Sequence, residues 1–314
     1  MADEKIIIGK DTPFPLNGLL SIPDSTEALL VGVEGPFPAV VLVHGSGSSN
    51  MDEQIMKNRP FRDLAEGLSA KGIAVIRYDK RSYAHGRKLI KIPAFTVFDE
   101  TIDDAIKASE MLKSDPRIDP ERVFVIGHSM GGMLAPQIDE MGGGFAGLII
   151  MAGTPRRLEV VMFEQMDEML KTAKGLNRLI LKSVAKKLHK KFSGLYEMSD
   201  EEAKTIKLMG GTTAYYFKSM GENDVPSCLA RTKKPMLILH GVKDAQVSVE
   251  RDFNVYKELL SGRDNITFKL YPDLNHLFMK SAYGTIDMIK KEYKIPGHVD
   301  EEVIADIAAW IFSF

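Results

Sequence analysis

Three side chains that could together transfer an acyl group occur in the chain order Ser129, Asp244, His276. A serine hydroxyl is a weak nucleophile until an imidazole takes its proton, and a carboxylate is needed to hold that imidazole in the useful tautomer and to stabilise its cation. Ser129 sits in Gly127-His128-Ser129-Met130-Gly131, a G-x-S-x-G pentapeptide whose small flanking residues permit a sharp strand-to-helix turn that projects the hydroxyl into a cleft. So short a motif also arises by chance, so its surroundings must decide.

Each of the three residues follows an apolar run of the kind expected for a buried strand. Val-Phe-Val-Ile at 123–126 leads into the pentapeptide, Met236-Leu237-Ile238-Leu239 leads through His240-Gly241 to Asp244, and Ile266 to Tyr271 leads through Pro272-Asp273-Leu274-Asn275 to His276. A fourth run, Ala39 to Val43, ends in His44-Gly45-Ser46-Gly47-Ser48, a loop able to lend a backbone N–H. The tetrahedral oxyanion of acyl transfer needs two such donors; the sequence points to the N–H of Met130, next after the nucleophile, and of Ser46 or a residue beside it.

Taken together, HGSGS at 44–48, RYDKR at 77–81, DPERVFVIGHSMGG at 119–132, LILHGVKD at 237–244 and LYPDLNH at 270–276 resemble an α/β-hydrolase of the bacterial serine carboxylesterase type, from about Leu16 to the C-terminus. The resemblance implies an α/β fold with a central, mostly parallel sheet, helices on both faces, and the active site at the strands' carboxyl ends. It further implies a serine hydrolase of carboxylic esters with short or small aromatic acyl groups, working through an acyl-enzyme without a cofactor. A thioesterase or acyltransferase would use the same triad, as would a peptidase, and some α/β-hydrolase folds only bind ligands.

The elements that must position these residues can be read in outline. Lys5 to Gly9 and Leu16 to Ile22 form an edge strand pair, Ala28 to Val33 follows, and Ile73 to Tyr78 is a further strand. Arg59 to Lys71, Thr96 to Lys113 and Glu301 to Phe314 carry apolar residues at helical spacing. Between Gly153 and Lys234 the strand pattern stops for far longer than an ordinary connection, and the segment is itself helical, with a capping box at Ser199-Asp200-Glu201-Glu202. The division expected is a hydrolase core of residues 1–153 and 235–314 with a helical cap of residues 154–234.

Composition sets limits. The 314 residues, 44% of them hydrophobic, suffice for a large core, and a net charge of −2 gives no reason to expect nucleic acid as a partner. One cysteine, Cys228, excludes an internal disulfide and reads as inert. The acidic N-terminus is no signal peptide, and no run approaches a membrane span, so the expectation is a cytoplasmic protein without stable membrane association. The partner is a small-molecule ester; the oligomeric state is open, a homodimer included. No metal site, P-loop or G-x-G-x-x-G segment stands out.

Competing readings remain for several residues. Asp224 and Asp273 are rivals of Asp244, and His298 of His276, while His44, His128 and His240 read as structural. The substrate pocket could also involve His128, Tyr83, His85, Tyr215, Tyr216 and Phe217, although for the last three packing against the core is an equal alternative. The basic series Lys171, Lys174, Arg178, Lys182, Lys186, Lys187, Lys190 and Lys191 reads as a solvated helix face, with an anionic substrate or surface as the alternative.

Overall fold

Alternate residues of the strand Phe37–Val43 enter two different cores. Ala39, Val41 and Val43 pack in one and Val40 and Leu42 in the other, and every residue of the strand is buried. That is what a period of two imposes on a β-branched run covered on both faces. The computed structural model describes residues 2–24, 35–208, 211–222 and 224–314. The expected segment Ala28 to Val33 lies outside the described residues.

Strands β1 (Ala2–Ile8), β2 (Leu16–Ile22), β3 (Phe37–Val43), β4 (Ala74–Tyr78), β5 (Ile118–His128), β6 (Leu148–Met151), β7 (Met236–Gly241) and β8 (Ile266–Tyr271) form one sheet in the order β1-β2-β4-β3-β5-β6-β7-β8. The pairs β1/β2 and β2/β4 are antiparallel; from β4 to β8 all neighbours are parallel. The central strands therefore end at one edge, and the residues that follow β3, β5, β7 and β8 are gathered there.

Two helix layers close the faces. On one side lie α1 (Pro60–Ser69), with Phe61, Leu64, Ala65 and Leu68 buried, and a C-terminal helix α12 (Glu301–Ile311), with Val303, Ile304, Ile307, Ala308 and Ile311 buried. Burying each large side chain contributes about 1.5–3 kcal/mol. On the other side lie α3 (Asp103–Ser114), entered through a π-helical turn at Phe98–Ile102, and α4 (Met130–Ile138). Helix α2 (Arg81–Leu89) was not anticipated because only Arg81 and Leu89 are buried, which leaves no apolar stripe to read.

Between β6 and β7 the described residues form five α-helices: α5 (Leu158–Thr172), α6 (Gly175–Phe192), α7 (Asp200–Thr205), α8 (Ala214–Glu222) and α9 (Val225–Arg231). Half of the capping box forms: Ser199 Oγ accepts the Glu202 N–H at 3.2 Å. Helix α6 buries Ala185 and Leu188 but leaves Leu176, Leu179, Ile180 and Val184 exposed among its cations. The remaining α-helices among the described residues, α10 (Asn254–Leu259) and α11 (Ile289–Glu292), are short. No helix among the described residues is long and apolar enough to cross a membrane.

Candidate active site

Ser129 follows β5 directly and occupies the N-cap position of α4 with φ 53° and ψ −116°, a backbone conformation that L-residues avoid and that stores of order 1–3 kcal/mol. The turn closes only because its glycines lack side chains. A Cβ at Gly127 would stand 2.3 Å from the Gly131 carbonyl oxygen, and one at Gly131 would stand 2.1 Å from that of Val43. The Ser129 N–H donates to the Met151 carbonyl at 2.8 Å, tying the turn to the end of β6.

Asp244 lies just past β7, in a loop built around its own carboxylate. Oδ1 accepts the N–H groups of Gln246 at 2.7 Å and Val247 at 3.0 Å, which leaves Oδ2 for His276 Nδ1 at 2.6 Å. The side chain is fully buried. Burial alone would raise its pKa, but His276 and the backbone donor outweigh it and hold the carboxyl below its ordinary value. The rivals are accounted for elsewhere: Asp224 caps α9 through the Ser227 N–H, Asp273 pairs with Lys243 at the surface, and His298 pairs with Asp63.

A second buried pair stands behind this one. His128 Nε2 donates to the His276 carbonyl at 2.9 Å, and its ring lies 4.8 Å from that of His276. Its Nδ1 stands 2.8 Å from Glu53 Oε2, outside the angular range of a good hydrogen bond. Burial would lower the His128 pKa; the Glu53 carboxylate reverses this and raises it. Glu53 Oε1 accepts the Gly45 N–H at 2.7 Å, so in the loop after β3 the Gly45 donor is taken and that of Ser46 has no acceptor among the described residues. A Cβ on Gly45 would lie 3.2 Å from Ser129 Cβ, which puts this loop directly against the serine. Met130 opens α4, where the first N–H groups have no intrahelical acceptor.

His44 bonds the Asn50 carbonyl through Nε2 at 3.0 Å and packs on Phe61; His240 bonds the Val247 carbonyl at 3.0 Å. Both shape loops. The pocket candidates divide. His85 is held by the Pro15 carbonyl at 2.8 Å and by Phe14, just ahead of β2, and Tyr83 is exposed; no hydrogen bond, ion pair or ring contact joins either to Ser129, Asp244 or His276. Tyr216 and Phe217 are buried in the core cluster, Phe217 against Phe192, and Tyr215 lies under Lys204. Glu53, Lys80 and Glu100 are buried charges near the site that motif reasoning missed; the one signal was Lys80, a charge within RYDKR just past a strand. No cluster of three or more His, Cys, Asp or Glu suited to a metal occurs among the described residues.

Residues 35–281 match the model of the Hydrolase_4 family, serine aminopeptidase S33. The chain belongs to this family. Among curated relatives of this S33 chain, Esterase EstD of Thermotoga maritima is 40% identical over 277 residues, covering 88% of this chain and 62% of EstD, so the chain spans less than two thirds of that relative. The Pyrococcus furiosus esterase Pf2001 superposes with a TM-score of 0.58 at 17% identity, over 99% of this chain and 91% of that one. Est1E of Butyrivibrio proteoclasticus superposes with a TM-score of 0.55 at 16% identity, over 97% and 99%. These two likenesses establish the α/β-hydrolase fold.

Proposed function

We propose that this protein is a serine carboxylesterase acting on small-molecule esters with short or small aromatic acyl groups, with Ser129 as nucleophile, His276 as general base and Asp244 as its orienting acid. The observation that carries the reading is the buried Asp244–His276 hydrogen bond at 2.6 Å, at the same sheet edge as a serine held in a strained strand-to-helix turn. The relationship to EstD supports an ester as substrate.

In this scheme Ser129 Oγ attacks the ester carbonyl carbon as its proton passes to His276 Nε2. The resulting imidazolium is stabilised by Asp244 Oδ2, which already holds Nδ1–H. The oxyanion accepts the N–H groups of Met130 and Ser46. The tetrahedral species expels the alcohol, which takes the proton from His276. Water then repeats the sequence on the acyl-Ser129 ester and releases the acid. No step calls on a cofactor.

Residues 154–234 serve as a cap on a core of residues 1–153 and 235–314. Its contacts with the core through Tyr216 and Phe217 support that assignment. A second reading, cleavage of peptide amides, is favoured by the aminopeptidase description of the family. Hydrolysis of a panel of acyl esters, thioesters and peptide amides by wild type and Ser129→Ala tests both: Ser129-dependent turnover restricted to amides would replace the esterase reading.

A further inference from the structure

A file of buried polar groups runs from the helical insertion to the loop after β3, and the reaction scheme uses none of it. Tyr216 on α8 donates its hydroxyl to Glu100 Oε2 at 2.5 Å. The same oxygen stands 3.6 Å from Lys80 Nζ, and Lys80 Nζ donates to the Gly45 carbonyl at 2.8 Å. Lys80 is 1% exposed, Tyr216 5% and Glu100 7%. Burial, reinforced by Glu100, keeps Tyr216 a phenol, so it stays a donor.

The Gly45 carbonyl belongs to the same peptide unit as the Ser46 N–H. Because that unit is planar and trans, its C=O and N–H point in opposite directions, and fixing one fixes the other. A cation on the carbonyl also draws electron density from the amide and makes its N–H a stronger donor. The preceding peptide is held too, through the Gly45 N–H on Glu53. Desolvating a lysine is costly, and an apolar side chain of similar volume could fill the space without that cost. The ammonium is thus explained by the peptide it holds rather than by packing.

We infer that Lys80 is a positioning residue of the oxyanion hole, aligning the Ser46 N–H through the Gly45 carbonyl, and that Glu100 and Tyr216 tie this alignment to the helical insertion. The inference rests on the esterase reading and gives the RYDKR segment a role beyond the fold.

The test compares Lys80→Met, Lys80→Met/Glu100→Gln, Lys80→Arg and Tyr216→Phe with wild type on p-nitrophenyl butyrate, alongside thermal unfolding and competition by a non-hydrolysable ether analogue of the ester. The double variant removes both buried charges, so it keeps the test open if Lys80→Met alone does not fold. In the folded double variant kcat/KM falls about ten- to a hundredfold, within the range for a weakened oxyanion donor, while the ether analogue binds as before because it has no carbonyl to align. Lys80→Arg restores part of the loss, and Tyr216→Phe gives a smaller drop of the same kind. A folded double variant with kcat/KM within about twofold of wild type overturns the inference, as does a parallel loss of ether binding. A wild type without Ser129-dependent turnover overturns the esterase reading and this inference together, since the peptide would then have no oxyanion to serve.

Discussion

Asp244 divides its carboxylate between two tasks: Oδ1 accepts two N–H groups of its own loop, and Oδ2 alone holds His276 Nδ1 at 2.6 Å. The loop thereby fixes the acid before the imidazole meets it. Asp244→Asn keeps the shape but presents an amide that can donate to Nδ1, which selects the tautomer with its proton on Nε2 and leaves no lone pair for the serine. We expect kcat to fall by about 10⁴ with the fold retained. A loss under tenfold would remove Asp244 from the scheme.

Ser129→Ala should lower kcat by several orders of magnitude and abolish labelling by a fluorophosphonate, leaving thermal stability little changed because alanine keeps the Cβ that strains the turn. Mass spectrometry of the labelled wild type places the adduct. An adduct on any other serine would discard Ser129 as nucleophile.

The elbow and the loop after β3 both contain glycines, but with opposite tolerances. Gly131→Ala drives a Cβ into the Val43 carbonyl at 2.1 Å, where neither backbone can yield, and should give no folded protein. At Gly47 the space is open and only φ +86° is unfavourable, so Gly47→Ala should cost about 1 kcal/mol. Expression and urea midpoints check the pair; equal effects would contradict it.

Buried His44 brings a pH dependence of stability. Burial, aided by the charge of Lys80 and opposed by Glu53, lowers its pKa to about 4. The folded state therefore binds fewer protons than the unfolded chain between about 6.5 and that value, and stability is lost as pH falls through this window, by roughly 3 kcal/mol for this group. Wild type and His44→Gln compared in urea from pH 7.5 to 4.5 should converge by about that amount. A gap that stays constant with pH would refute the assignment.

Cys228 is 2% exposed, and burial, with Glu140 adding, pushes its thiol pKa up to about 11. Ellman's reagent should therefore fail to react at pH 8 until the protein unfolds, which makes this thiol a reporter of opening near α9. Full reaction within seconds under native conditions would contradict the burial.

Strands were the legible part of this fold because burial on both faces leaves continuous apolar runs, as at Ala39 to Val43 and Met236 to Leu239. The turn at Ser129 was legible because clash geometry admits only glycine at Gly127 and Gly131. Less legible was α2, which buries too little to show a period, and the Glu53, Lys80 and Glu100 network, whose members come from separate segments and meet only in three dimensions. Tyr216 was noticed as an aromatic, but its hydroxyl's partner lies on a distant element.

The helical insertion leaves the sheet at β6 and returns at its immediate neighbour β7. A crossover between adjacent parallel strands needs only about a dozen residues, so everything beyond that minimum can be exchanged without disturbing strand register. Residues can therefore be added to or taken from this connection while the turn at Ser129, tied to the sheet through the Met151 carbonyl, keeps its place.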